Sequence, residues 1–124
     1  MIGEDQMQDR PMIKTAIPKR RYQIGDFGVS LLGEIESGDA HSYRFILAFV
    51  RDGQSQPSFY VCAEQGSSTG AEQEAFGLRV INEVMSELME TSTKWGDLDS
   101  FAEQGLKLGV QALGLQREQI LRLL

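Results

Sequence analysis

A clear hydrophobic pattern begins near Tyr22. Beyond it Phe27, Val29, Leu31 and Ile35 share one parity, with Gly33 in the remaining slot, while Gly28, Ser30, Leu32 and Glu34 share the other. A period of two marks a half-buried strand. Tyr22 and Ile24 have the opposite parity, which places a bulge or bend at Gly25-Asp26. Ser37-Gly38-Asp39-Ala40 has turn chemistry and leads into a second strand running from Ser42 to Arg51. There Tyr43, Phe45, Leu47 and Phe49 line one face, and Ile46, Ala48 and Val50 line the other behind Arg44. A strand apolar on both sides belongs in the middle of a sheet that is covered twice. Asp52-Gly53 starts another turn, and Pro57 fits the start of an edge strand from Phe59 to Glu64. Short connections join sequential antiparallel neighbours, so the three strands form a meander centred on the second.

After Glu64 the spacing changes. Thr69-Gly70-Ala71-Glu72 has the form of a capping box, and Phe76, Val80, Val84 and Leu88 follow at steps of four. With Leu78, Ile81 and Met85 widening the stripe, this spacing predicts a helix over 71–91 whose solvent side carries Glu83, Glu87 and Glu90. Thr91 to Gly96 is a break. Asp97 is a good N-cap for a second helix whose apolar face is Leu98, Phe101, Ala102, Gly105, Leu108, Gly109 and Ala112, ended by Gly114. Gln116 to Leu124 has room for a last helical turn or two, and the sequence leaves open whether these residues form a separate helix. Residues 1–18 hold no sustained period, and Pro11 and Pro18 argue against one continuous helix there. The expectation is therefore a flexible N-terminal arm over 1–18 and a single α+β domain over 19–124, ordered β-β-β-α-α.

Length and composition fit that outline. A chain of 124 residues suits one domain, and 41% hydrophobic content is enough for an ordinary core. The charge is uneven, at +2 over residues 1–21 and −8 over the remainder. An acidic body repels phosphate backbones, so nucleic-acid binding is not expected, and Lys19-Arg20-Arg21 is too short to reverse that. The same basic run could instead meet an acidic surface, a contact that salt would screen. No apolar run approaches the ~20 residues of a membrane helix, and charged residues interrupt the first twenty positions, so no membrane association is expected. Cys62 is the single cysteine, which rules out an internal disulfide and favours a reducing, cytoplasmic compartment.

Few residues point to chemistry. Gly66, Ser67, Ser68, Thr69 and Gly70 form a Gly/Ser-rich loop between a strand and an expected helix start, where backbone amides can receive a phosphate. Ser67 to Gly70 resembles the phosphate loop of flavodoxins over four residues, but Glu72 stands where that family has a hydroxyl. The plainer reading is a connector ending in a helix cap. His41, the only histidine, lies in an expected turn, and Cys62 sits on a strand with no cationic residue adjoining it in sequence. Together they exclude the usual zinc constellations, and no cofactor is expected. Gly105 and Gly109 are spaced to let their helix approach another backbone.

The heaviest feature is the two-faced central strand. Helices on the Phe27, Leu31, Phe45 and Phe49 side would leave Leu32, Ile46, Val50, Tyr60 and Cys62, with Arg44 beside them, on the other. An apolar face of that kind marks an interaction surface unless the arm, a second copy or another protein covers it. The sequence thus points to a non-enzymatic protein-interaction or adaptor module, chaperone-like in size and charge and acting as a homodimer. A small-ligand or nucleotide-phosphate binder using the 65–72 loop is the alternative.

Overall fold

The structure, a computed structural model, describes residues 10–65 and 75–124. Among them the chain forms β1 (Ile13–Ile24), β2 (Phe27–Ser37), β3 (Tyr43–Arg51), β4 (Phe59–Gln65), β5 (Phe76–Asn82) and β6 (Ser86–Ser92), followed by α1 (Leu98–Leu113) and a short β7 (Ile120–Arg122). The seven strands make one sheet in the order β6-β5-β4-β3-β2-β1-β7, with every neighbour antiparallel. The β-β-β-α-α expectation is overturned. The fold is a six-strand meander, one helix, and a seventh strand on the far edge.

The largest departure is at 76–92, where a helix was expected and a hairpin stands. Steps of four, as in Phe76, Val80, Val84 and Leu88, satisfy helical spacing but also keep a single strand parity. The residues between them decide. Phe76, Leu78 and Val80 alternate toward the main core while Ile81 turns to the opposite face, a pattern suited to aromatic and β-branched residues. The hairpin turn is then set by Asn82, whose Oδ1 accepts from the amides of Val84 and Met85, each at 2.9 Å. The expected capping box at Thr69 to Glu72 lies outside the described residues.

β1 begins at Ile13, inside the segment read as a loose arm. Proline is tolerated because the register slips between Pro18 and Arg20, so the missing amide falls at a bulge. Two members of the basic run that follows are paired within the chain. Lys19 pairs with Glu34, and Arg20 pairs with Asp99 in the first turn of α1. That contact with Asp99 raises the already high pKa of Arg20. Gly25, with φ +54°, takes the first position of the tight β1–β2 turn, where a type II′ hairpin needs positive φ.

α1 has the ends expected from its sequence. Asp97 accepts from the Ser100 amide at 2.9 Å, a contact that lowers its pKa, and Gly114 closes the helix with φ +69°. Its buried face is Phe101, Ala102, Gly105, Leu106, Gly109 and Val110, so Leu106 and Val110 point inward while Ala112 is exposed. The helix packs on the side of the sheet formed by Phe27, Val29, Leu31, Phe45, Leu47, Phe49, Phe59 and Val61. The two glycines set the distance. A Cβ on Gly105 would stand 2.9 Å from Leu47 Cδ2, and one on Gly109 would overlap the Phe49 ring.

Gly109→Ala is therefore expected to destabilise by about 1–3 kcal/mol through overpacking, against the ~1 kcal/mol that alanine gains in helix propensity. Urea melts of the two proteins would show it. An unchanged or raised midpoint would mean that the helix does not sit this close to β3.

Candidate functional site

Two regions of the sheet could carry function: the face away from α1 and the two open edges. The far face is built by the opposite parity of the same strands. Ile46, Ala48, Tyr60, Cys62, Ile81 and Tyr43 form a second buried cluster, with Ile13, Leu32 and Ile35 packed against it. Tyr43 belongs here and not with Phe45, because the register slips between them. Arg44 is the extra residue of that bulge. It leaves the far face, donating its Nε to the Gly96 carbonyl at 3.3 Å and lying over the Phe45 ring.

The other residues expected at an interface are placed as follows. Ile46 and Cys62 are fully buried, Tyr60 is nearly so, and Leu32 and Val50 are half-buried. Part of the cover is the chain's own upstream segment. Pro11 is buried, and the Arg10 guanidinium sits 5.6 Å from the Tyr60 ring centroid, donating to the Tyr60 hydroxyl at 2.8 Å and to the Pro57 carbonyl. Burial pushes the Cys62 thiol far up, which leaves no thiolate for chemistry. The loop Gly66, Ser67, Ser68, Thr69 and Gly70 lies outside the described residues.

Beside the far cluster runs a polar cleft of about 510 Å³, lined by Arg10, Asp39, His41, Tyr43, Glu64, Arg79 and Ser86 among others. Its groups largely satisfy one another. Glu64 is flanked by His41 Nδ1 and Arg79 Nε, each at 3.3 Å, and Arg79 also reaches Ser86 at 3.2 Å. Asp39 accepts from the amides of Met12 and His41 and from the Tyr43 hydroxyl, at 3.0, 2.8 and 3.2 Å. Burial alone would raise the Asp39 carboxyl; these three donors outweigh it and hold it below its ordinary value. Burial, aided by neighbouring anionic groups, pushes the Tyr43 hydroxyl far up, so it remains a donor. The arrangement is a clasp that ties residues 10–12 and the β2–β3 turn to β4 and β5.

The edges are different. Among the described residues β6 and β7 each pair on one side only. β6 is exposed along Glu87, Leu88, Met89, Glu90 and Thr91, and its turn adds Val84 at 89% and Met85. β7 and the residues after it expose Leu121, Leu123 and Leu124. Sequence reasoning had put Glu83, Glu87 and Glu90 on a helix; the signal that could have found an edge was two glutamates flanking Leu-Met after an Asn turn.

No family model, curated protein or solved structure matches the chain. Among the described residues no helix is long and apolar enough to cross a membrane.

The Asp39 clasp carries a pH dependence. A lowered folded pKa means the stabilisation is present above the ordinary value of 3.8 and is lost as pH falls through the lower folded value. Asp39→Asn should lower stability by about 1–2 kcal/mol near neutrality. That difference should close on acidification below the carboxylate range, as followed by urea melts at several pH values. A gap that persists unchanged into acid would show that the Asp39 charge does not hold the clasp.

Proposed function

We propose that the chain is a non-enzymatic protein-interaction module that receives an extended segment of another polypeptide on its β6 edge. The observation that carries this reading is an open edge strand with exposed Val84, Met85, Leu88 and Met89 beside it. Strand addition to such an edge satisfies the outer row of backbone groups, and alternate side chains supply selectivity. Edges are commonly guarded by lysine or by an inward charge. Residues 83–92 carry three glutamates and no basic residue, so the guard here is acidic and selective rather than generally repulsive. The matching partner is a short extended stretch alternating basic and apolar side chains.

The far face is a weaker place for a partner, because Ile46, Tyr60 and Cys62 are already buried within the chain. The polar cleft is weaker as a ligand site, since Glu64, Arg79 and Asp39 are engaged with one another and with neighbouring residues.

A synthetic peptide alternating arginine and leucine over about seven residues is the direct probe. It should shift the amide resonances of Ser86 to Ser92 on titration, with binding weakened by salt. A peptide of the same charge with proline at alternate positions cannot pair with the edge and should not bind. Equal binding of both peptides, or shifts confined to the His41–Arg79 cleft, would refute strand addition at β6.

A further inference from the structure

The two open edges of this sheet complement one another. In β6, Glu87 lies opposite Val80 and Glu90 opposite Leu78, which puts both glutamates on the helix side of the sheet. Leu88 lies opposite Arg79, itself opposite Cys62, and so stands on the far face. In β7, Arg122 lies opposite Tyr22 and is on the helix side, whereas Leu121 lies opposite Gln23 on the far face. Leu123, whose amide donates to the Arg21 carbonyl, continues on that face and lines a hollow with Arg21, Gln23, Gly28, Ser30 and Val50. One edge thus carries Glu87 and Glu90 on the helix side with Leu88 beneath, and the other carries Arg122 on the helix side with Leu121 and Leu123 beneath.

Resting on the strand-addition reading above, we infer that a second copy of this chain is a partner for the β6 edge, presenting its β7 edge so that copies join head to tail. Like-with-like pairing is disfavoured by charge. A two-fold β6–β6 contact with helices on one side would set Glu87 and Glu90 against the same residues, and a β7–β7 contact would set Arg122 against Arg122. Like charges facing across strands destabilise, and opposite charges favour the pair. With the helices on the same side, β6 of one copy and β7 of the next run parallel, because each neighbouring pair across the seven strands is antiparallel. That placement brings Glu87 and Glu90 to Arg122 on one face and Leu88 to Leu121 and Leu123 on the other. The bulge at Met89, where the register slips between Leu78 and Arg79, limits the regular stretch of β6, and β7 is itself only three residues long. The contact is therefore small and reversible. A head-to-tail contact closes into a ring or continues as a filament, and does not stop at two copies unless the ring does.

Sedimentation velocity from low-micromolar to near-millimolar protein tests this, with a charge swap. The wild-type mass should rise with concentration beyond a dimer and fall back in high salt. Arg122→Glu makes both edges acidic, and Glu87→Lys with Glu90→Lys makes both basic. Each variant alone should associate at least about tenfold more weakly, and an equimolar mixture should recover assembly. These side chains are exposed, and matching thermal melts check that the variants fold. Saturation at a salt-insensitive dimer, undiminished assembly of Arg122→Glu, or a mixture that fails to recover would each overturn the inference. A wild-type chain that stays monomeric would also overturn it. Strand addition would survive if β6 still took the arginine–leucine peptide and would fall with it if β6 did not.

Discussion

β3 is apolar on both sides, and the rest of the molecule is arranged around sealing it twice. Phe45, Leu47 and Phe49 face α1, while Ile46 and Ala48 face the opposite cluster. Neither side can be left wet without losing roughly 25 cal/mol for each Å² of apolar surface exposed. The helix seals one face by coming unusually near, which Gly105 and Gly109 permit. The other face is closed more thinly, in part by Ile13, Leu32 and Ile35 and by Arg10 over the Tyr60 ring, with the clasp at Asp39 holding the upstream segment in place. The two seals differ in kind. One is bulk packing with no charge at its centre, and the other depends on charged hydrogen bonds at the rim.

This division leaves the sheet with buried faces and open ends. α1 starts after β6 at one edge, packs on β3 and β4, and delivers the chain to β7 beside β1 at the other edge. Arg20 on β1, held to Asp99, fixes the first turn of the helix relative to the sheet. The same connection that seals the helix face therefore also determines which strand lies at each rim. The proposed association uses those rims, where Glu87 and Glu90 on one and Arg122 on the other would favour unlike edges meeting.

Much of this was readable from local pattern. β2, β3 and β4 follow from period-two alternation, and α1 from Asp97, Gly114 and the apolar stripe between them. The failures share one cause: local spacing admitted two structures and nonlocal pairing chose. Phe76, Val80, Val84 and Leu88 fit helix and strand alike, and pairing of β5 with β4 selected strand. Pro18 looked like an arm residue until a bulge opposite Leu32 absorbed it. Tyr43 was assigned with Phe45 because a bulge at Arg44 leaves no mark in the alternation. The clasp joins residues from 12 to 86, a set that no spacing rule collects. Glu83, Glu87 and Glu90 were visible as an exposed acidic series, yet their meaning changed once they stood on an edge strand.

Whether association uses the rims or the far face can be read most directly from amide hydrogen exchange at two protein concentrations. The expected result is that β3 and β4 amides are strongly protected at both, while residues 86–92 and 120–122 gain protection only when the chain is concentrated. Protection of Ile46 and Cys62 that appears only at high concentration would contradict it, because the far face would then be sealed by another molecule and not by this chain.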